Sequence, residues 1–214
     1  MGKKENPLLE YYNQNGRFAE LLNGWLFEGE VHWKAGDIRD ADRRQDGKSW
    51  DDRAYRHRYR DLYKELRDAQ VHLFIGTELQ EHVDYVMPLR VMDNDVLSYS
   101  RQKDTVSGNY KNQDYKNHAG VKSSRRGTGD TDSAKDRRKK ALTSDEYLSQ
   151  FSKSDRLLPV ITLVLYCGEK KWDGARCLHE LLDFSDIPDK VKKYVSDYPI
   201  HILDVCHTPD ERLG

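Results

Sequence analysis

Long apolar runs, paired cysteines and net charge are all scarce in this 214-residue chain, and each scarcity excludes something. The longest apolar stretch, Leu157 to Cys167, falls well short of the roughly 20 residues that a helix needs to span a bilayer. The N-terminal Met-Gly-Lys-Lys-Glu-Asn has no apolar run behind its charges, so it does not read as a secretory leader, and Asn6 stands where a myristoylation signal wants Ser or Thr. Cys167, Cys177 and Cys206 form neither an even set nor a closely spaced pair of the kind that disulfide frameworks, structural zinc or redox motifs require. Cys177 with His179 and Cys206 with His207 are near neighbours, but a structural zinc site takes four ligands and no second pair has matching spacing. Free thiols in a reducing cytoplasm, and no membrane association, are the expectations.

The formal net charge is only -1, which by itself says nothing about nucleic acid. Its distribution says more. Residues 101–140 hold 12 Lys or Arg against 5 Asp, a surplus of 7 positive charges, so the remainder of the chain carries -8. The length fits one domain with a real core. With 36% hydrophobic and 34% charged residues, the apolar side chains must be concentrated in a few segments. The expected organisation is a single domain over residues 1–214 with a basic, disordered or loosely helical insert at about 101–143, where hardly an aliphatic residue is available to offset the entropy of ordering.

Phe18, Leu21, Leu22, Trp25 and Leu26 recur at the spacing that lines one face of a helix. The polar stretch Gly29 to Asp52 offers at most a short strand around Val31 to Trp33. Tyr55 to Tyr63 alternates aromatic and charged residues, as a strand with one buried face does, although Leu62 to Arg67 reads equally as a helical turn. Val71 to Ile75 is a buried-strand run ended by Gly76, leading into Thr77-Glu78-Leu79-Gln80. A helix then starts near Pro88, with Leu89, Met92, Val96 and Tyr99 at helical spacing. Leu157 to Tyr166, rich in β-branched residues and stopped by Gly168, is expected to be a fully buried central strand. Trp172-Asp173-Gly174 makes a turn with a buried indole, Leu178 to Phe184 a short helix, and Tyr198 to Val205 a last strand. This order predicts an α/β fold with helices flanking a central mixed sheet.

Hydrolysing a phosphodiester requires a nucleophilic water near neutral pH and a counter-charge for the oxyanion, and a divalent metal supplies both. Hard ions such as Mg²⁺ take oxygen ligands, commonly one or two carboxylates. Along a strand Glu78 and Gln80 project to one side while Leu79 points into the core and leaves its backbone carbonyl available. Asp61, 17 residues upstream of Glu78, comes alongside it if the two strands pair. Two readings are open on pattern alone: a metal cup of Asp61, Glu78 and the Leu79 carbonyl, or solvated strand-end carboxylates. Arg90, on the helix after the active strand, reads as a phosphate contact or as a surface charge. Arg125, Arg126, Arg137, Arg138, Lys139 and Lys140 read as salt-sensitive backbone contacts or as a solubilising loop.

Four ordered blocks carry a family resemblance. They are Arg17-Phe18-Ala19-Glu20-Leu21-Leu22-Asn23-Gly24-Trp25-Leu26-Phe27; Arg60-Asp61 followed by Leu73-Phe74-Ile75-Gly76-Thr77-Glu78-Leu79-Gln80; Tyr85-Val86-Met87-Pro88-Leu89-Arg90; and Arg156 to Tyr166 with Gly168, Trp172-Asp173-Gly174 and Leu178-His179-Glu180. Over about residues 10 to 205, interrupted by the basic insert, the chain resembles the recombination-promoting nuclease or putative transposase family of the PD-(D/E)XK superfamily. The resemblance implies a restriction-endonuclease-like fold, DNA as partner, and cleavage dependent on Mg²⁺, with Mn²⁺ as a substitute. It implies that Asp61 and Glu78 are metal ligands, that Gln80 takes the position usually held by the motif's lysine, and that Glu20 is the family's helix carboxylate, reaching the metal through water or simply facing solvent.

Two departures bear on activity. Gln80 can orient a water or a phosphate by hydrogen bonds but is no ammonium point charge. The chain also stops at Gly214, soon after its last predicted strand, where family members continue, which leaves a truncated product among the readings. The competing functions are a DNA endonuclease and a catalytically silent DNA-binding or assembly module that keeps the fold; an RNA nuclease would share the same site. Double-strand cutting favours a homodimer on symmetry grounds.

Overall fold

The computed structural model describes residues 7–48, 55–121 and 142–208. The chain divides into two compact units, Met1–Tyr99 with Leu158–Gly214, and Ser100–Leu157. In the first unit, helices α1 (Pro7–Asn13) and α2 (Asn15–Phe27) precede strands β1 (Ile38–Asp40), β2 (Arg44–Lys48), β3 (Tyr55–Tyr59), β4 (Leu62–Arg67) and β5 (His72–Gln80). Helix α3 (Met87–Val121) starts in this unit, and after residue 157 come β6 (Val160–Tyr166), the short helix α5 (Asp189–Lys192) and β7 (His201–Asp204).

Five strands form one mixed sheet in the order β1-β4-β5-β6-β7. β1, β4 and β5 pair antiparallel, whereas β5, β6 and β7 run parallel. β2 and β3 form a separate two-stranded ribbon. The alternation of side chains along these strands splits the core in two. On one face Ile75, Leu163 and Leu165 pack with Phe18, Leu21 and Leu22 of α2; on the other, Val164 and Tyr166 pack with Met87 and Val91 of α3. Helices thus cover both faces of a mixed sheet, the predicted α/β class and an arrangement consistent with a restriction-endonuclease-like core. Among the described residues no helix is long and apolar enough to cross a membrane.

The second unit holds the rest of α3 and helix α4 (Ser144–Ser149). Thr143 caps α4 reciprocally: its Oγ1 accepts from the Glu146 N–H at 3.4 Å and its own N–H donates to Glu146 Oε2 at 2.9 Å. The Tyr110 hydroxyl donates to Asp155 Oδ2 at 2.7 Å in the same unit. Because α3 continues to Val121, residues 101–121 of the basic segment are helical; residues 122–141 lie outside the described residues.

Several local expectations change. Val31 to Trp33 is not a strand, because the Asn23 side chain takes the backbone polar groups a neighbouring strand would need: Oδ1 accepts from the N–H groups of His32 and Trp33, and Nδ2 donates to the Trp33 carbonyl at 2.8 Å. The strand through Val71 to Ile75 does not stop at Gly76 but runs on to Gln80, paired with β6 from Phe74 to its end. Helix α3 turns a different stripe to the core. Leu89 and Val96 are exposed and Met92 and Tyr99 half-buried, while the buried positions include Met87, Val91, Asn94, Asp95, Leu97 and Ser98. The helix predicted for Leu178 to Phe184 is a 3₁₀ turn over Leu178–Leu181. Trp172 is buried as expected, its indole N–H donating to the Gly174 carbonyl at 2.8 Å.

Gly76 is needed for close approach. A Cβ built there would stand 2.0 Å from Arg60 Nη1 and 2.7 Å from its Cζ, and Arg60 is buried with its guanidinium held by three side chains. Gly76→Ala is therefore expected to destabilise the protein by about 2 kcal/mol or more, the scale of overpacking in a fixed interior, read as a lower urea midpoint at unchanged slope; a variant as stable as wild type would show that Arg60 yields freely.

Candidate metal and active site

The candidate site begins at a break between strands. β3 ends at Tyr59 and β4 starts at Leu62, so Arg60 and Asp61 form the junction. β4 pairs with β5 with Leu62 opposite Thr77, and one further step of that register puts Asp61 opposite Glu78. Asp61 Oδ2 accepts from the Leu79 N–H at 2.9 Å. In the β5–β6 ladder the Phe74 N–H bonds to Pro159 and the Gln80 carbonyl to Cys167. Alternation along β5 therefore turns the backbone groups of Leu79 away from β6 and toward Asp61. The three predicted oxygen donors, from Asp61, Glu78 and the Leu79 carbonyl, come from this one strand end.

Glu78 shares its sheet face with Val164, its partner on β6, and so points toward α3. It is only 1% exposed. Both carboxylate oxygens are engaged from α3: Arg90 donates to Oε2 at 3.0 Å and Asn94 donates to Oε1 at 3.0 Å. Burial pushes the Glu78 carboxyl up to about 7; the Arg90 charge opposes the rise, the Asp61 charge adds to it, and the more distant Arg60 charge lowers it again.

Beneath this cluster lies an ion-pair network that the sequence did not reveal as a unit. Arg60 donates to Thr162 Oγ1 at 2.6 Å, to Asp95 Oδ1 at 2.6 Å and to Ser98 Oγ at 3.1 Å. The second Asp95 oxygen accepts from the Tyr198 hydroxyl at 2.6 Å, and burial with this bond raises the Tyr198 phenol well above its ordinary value. One guanidinium thus joins the β3–β4 junction, β6, α3 and the segment before β7. Asn94, Asp95 and Ser98 are polar residues on the buried side of α3, and apolar periodicity gave no signal for them.

The remaining predicted residues are placed as follows. Gln80 is half-buried, two positions along β5 from Glu78 and on the same side; its carbonyl accepts from the Cys167 N–H at 2.9 Å. Arg90, half-buried, sits on Glu78 and also lies 3.6 Å from Asp84. Glu20 is an exposed residue of α2 in an ion pair with Arg17 at 2.8 Å, on the helix that covers the opposite sheet face, so the structure does not bring it to Glu78. Arg125, Arg126, Arg137, Arg138, Lys139 and Lys140 lie outside the described residues.

Among the described residues no three His, Cys, Asp or Glu side chains converge to hold a metal ion, so any ion here rests on two carboxylates plus backbone. The donor set still fits a hard cation: it is all oxygen, and Asn94 Oδ1 is a further buried oxygen without a hydrogen-bond partner beside Glu78. The contact that stands against it is Arg90, which already occupies one oxygen of Glu78.

Residues 142–214 match the family model described as Putative transposase, YhgA-like. This is the family that the sequence resembles, and the YhgA-like match covers α4, β6, α5 and β7. Asp61, Glu78, Gln80 and Arg90 lie before the matched stretch. No curated protein and no solved structure matches the chain.

The raised Glu78 carboxyl has a definite sign for stability. Its proton is favoured in the folded state, so a folding penalty appears as pH rises through 4.5 and is complete above about 7. Glu78→Gln removes the penalty, so in EDTA the variant should exceed wild type by about 3 kcal/mol at most at pH 8, with the gain vanishing near pH 4. Urea midpoints at the two pH values check this, and an equal gain at both would rule out ionisation as the cause.

Proposed function

We propose that the chain is a metal-dependent DNA endonuclease of the recombination-promoting type. The observation that carries the proposal is the bond from the Leu79 N–H to Asp61, which fixes two carboxylates 17 residues apart in sequence at one strand end, with a backbone carbonyl on the same side. The match of residues 142–214 to a putative transposase family supports a transposase-like role with DNA as the partner.

Asp61, Glu78 and the Leu79 carbonyl would hold a Mg²⁺ or Mn²⁺ ion, which when bound supplies Lewis acidity and a water acidic enough to attack a phosphodiester near neutral pH. Asp61 is oriented by the Leu79 N–H, which aims one carboxylate oxygen and leaves the other for the ion. Gln80 presents an amide next to Glu78 that orients the attacking water or a substrate oxygen by hydrogen bonds, without the fixed charge of a lysine. Sequence selectivity is not asked of this strand end; phosphate contacts position DNA without reading it.

A second reading has its own observation. Arg90 and Asn94 already occupy both oxygens of Glu78, and a Glu78 kept in that state would leave a DNA-binding or assembly module without chemistry.

Plasmid nicking at low salt separates the two. Wild type is expected to nick with Mg²⁺ or Mn²⁺ and not with EDTA, and Glu78→Ala and Asp61→Asn should both fall to the EDTA background. A folded wild type that retards DNA in a gel yet cuts with neither ion would sink the enzymatic reading and leave the silent module.

A further inference from the structure

The two donors on Glu78 differ in what it would take to move them. Asn94 is fixed on the buried side of α3, 2% exposed. The Arg90 side chain is 35% exposed and reaches Glu78 from the rim. A carboxylate as buried as Glu78 needs a counter-charge whenever it ionises. Of the two arginines near it, Arg60 is committed to Asp95, Thr162 and Ser98, so Arg90 is the cation that supplies contact. Arg90 also has somewhere to go: its other terminal nitrogen lies 3.6 Å from Asp84 Oδ2, a half-buried carboxylate that can retain the guanidinium once it leaves Glu78.

We propose that Arg90 is a latch on the metal site: in the free protein its guanidinium takes the place of a divalent cation on Glu78, so that cation and Arg90 compete for one carboxylate and binding of the ion releases Arg90 toward Asp84. The proposal rests on the metal-site reading of Asp61 and Glu78. It goes beyond it in assigning Arg90 a role opposed to metal binding, although a basic residue in a phosphodiesterase site is ordinarily read as helping the substrate. A site whose competent form is populated only in part binds its ligand more weakly by that fraction, so a latch closed about nine-tenths of the time weakens cation affinity about tenfold.

The test measures Mn²⁺ binding to the full chain, without DNA, by the loss of the free-ion electron paramagnetic resonance signal at pH 8. Wild type, Glu78→Ala, Arg90→Gln and Arg90→Lys are compared, with circular dichroism melts to establish that each is folded. The Mn²⁺ site abolished by Glu78→Ala is expected to be about tenfold tighter in Arg90→Gln, whereas Arg90→Lys, which keeps a positive charge at the rim, should stay near wild type. A Glu78-dependent site seen only after Arg90 is replaced also supports the latch. A Glu78-dependent site whose affinity is unchanged or weaker in Arg90→Gln overturns the latch and leaves the metal site standing. Absence of any Glu78-dependent Mn²⁺ binding in wild type and Arg90→Gln alike overturns the metal reading itself, and the latch with it.

Discussion

An arginine whose side chain is fully buried has lost its water, and it is tolerated only where a counter-charge and hydrogen-bond acceptors replace that water in fixed positions. Arg60 finds them in Asp95, Thr162 and Ser98, and much of the first unit follows from this requirement. β5 must carry glycine at position 76 so that the side chain can cross it. α3 must turn a polar stripe inward where an ordinary amphipathic helix would turn leucine and valine. Tyr198 must bring its hydroxyl to the remaining oxygen of Asp95. A buried ion pair of this kind is a weak source of net stability compared with apolar packing of the same volume, but losing one partner strands the other. Its value lies in register: the residue beside Arg60 in the chain is Asp61, and the strand beneath it carries Glu78.

The site itself is an alternation of signs. Asp61 and Glu78 are negative, Arg90 and Arg60 positive, and Asp95 closes the set behind Arg60. Burial holds the Glu78 carboxyl up at about 7 against the opposing charge of Arg90.

What was legible in the sequence was whatever depended on periodicity of apolar residues. Phe18, Leu21 and Leu22 gave α2 its buried face, the β-branched run to Tyr166 marked the interior strand β6, next to the central β5, and Glu78 and Gln80 fell on one side of β5 by simple alternation. The rest was hidden where polar residues do the packing. Of the expected stripe Leu89, Met92, Val96 and Tyr99, Leu89 and Val96 are exposed and Met92 and Tyr99 half-buried, because the buried side of α3 also carries Asn94, Asp95 and Ser98, and nothing in a single sequence says that a buried arginine 35 residues before Asp95 requires an acidic partner there. Gly76 looked like a strand terminator for the same reason. Val31 to Trp33 lost its strand to one asparagine side chain, a competition that local propensity cannot weigh. For Glu20, the helix was legible but the sheet face it covers was not.

The connectivity of the central strands bears on the order in which the protein is made. β4 and β5 join through a tight turn, so Asp61 and Glu78 can meet early, by closing a short loop. The contact that pins them, Arg60 to Thr162, spans 102 residues and must await β6, which comes only after α3 and the basic segment have left the ribosome. Closing the longer loop costs only about 2 kcal/mol more in chain entropy, but long-range parallel pairing slows folding far more than it weakens the product. The strand end that carries Asp61 and Glu78 should therefore exist for a time without its clamp, and its final geometry is set only when the last strands arrive.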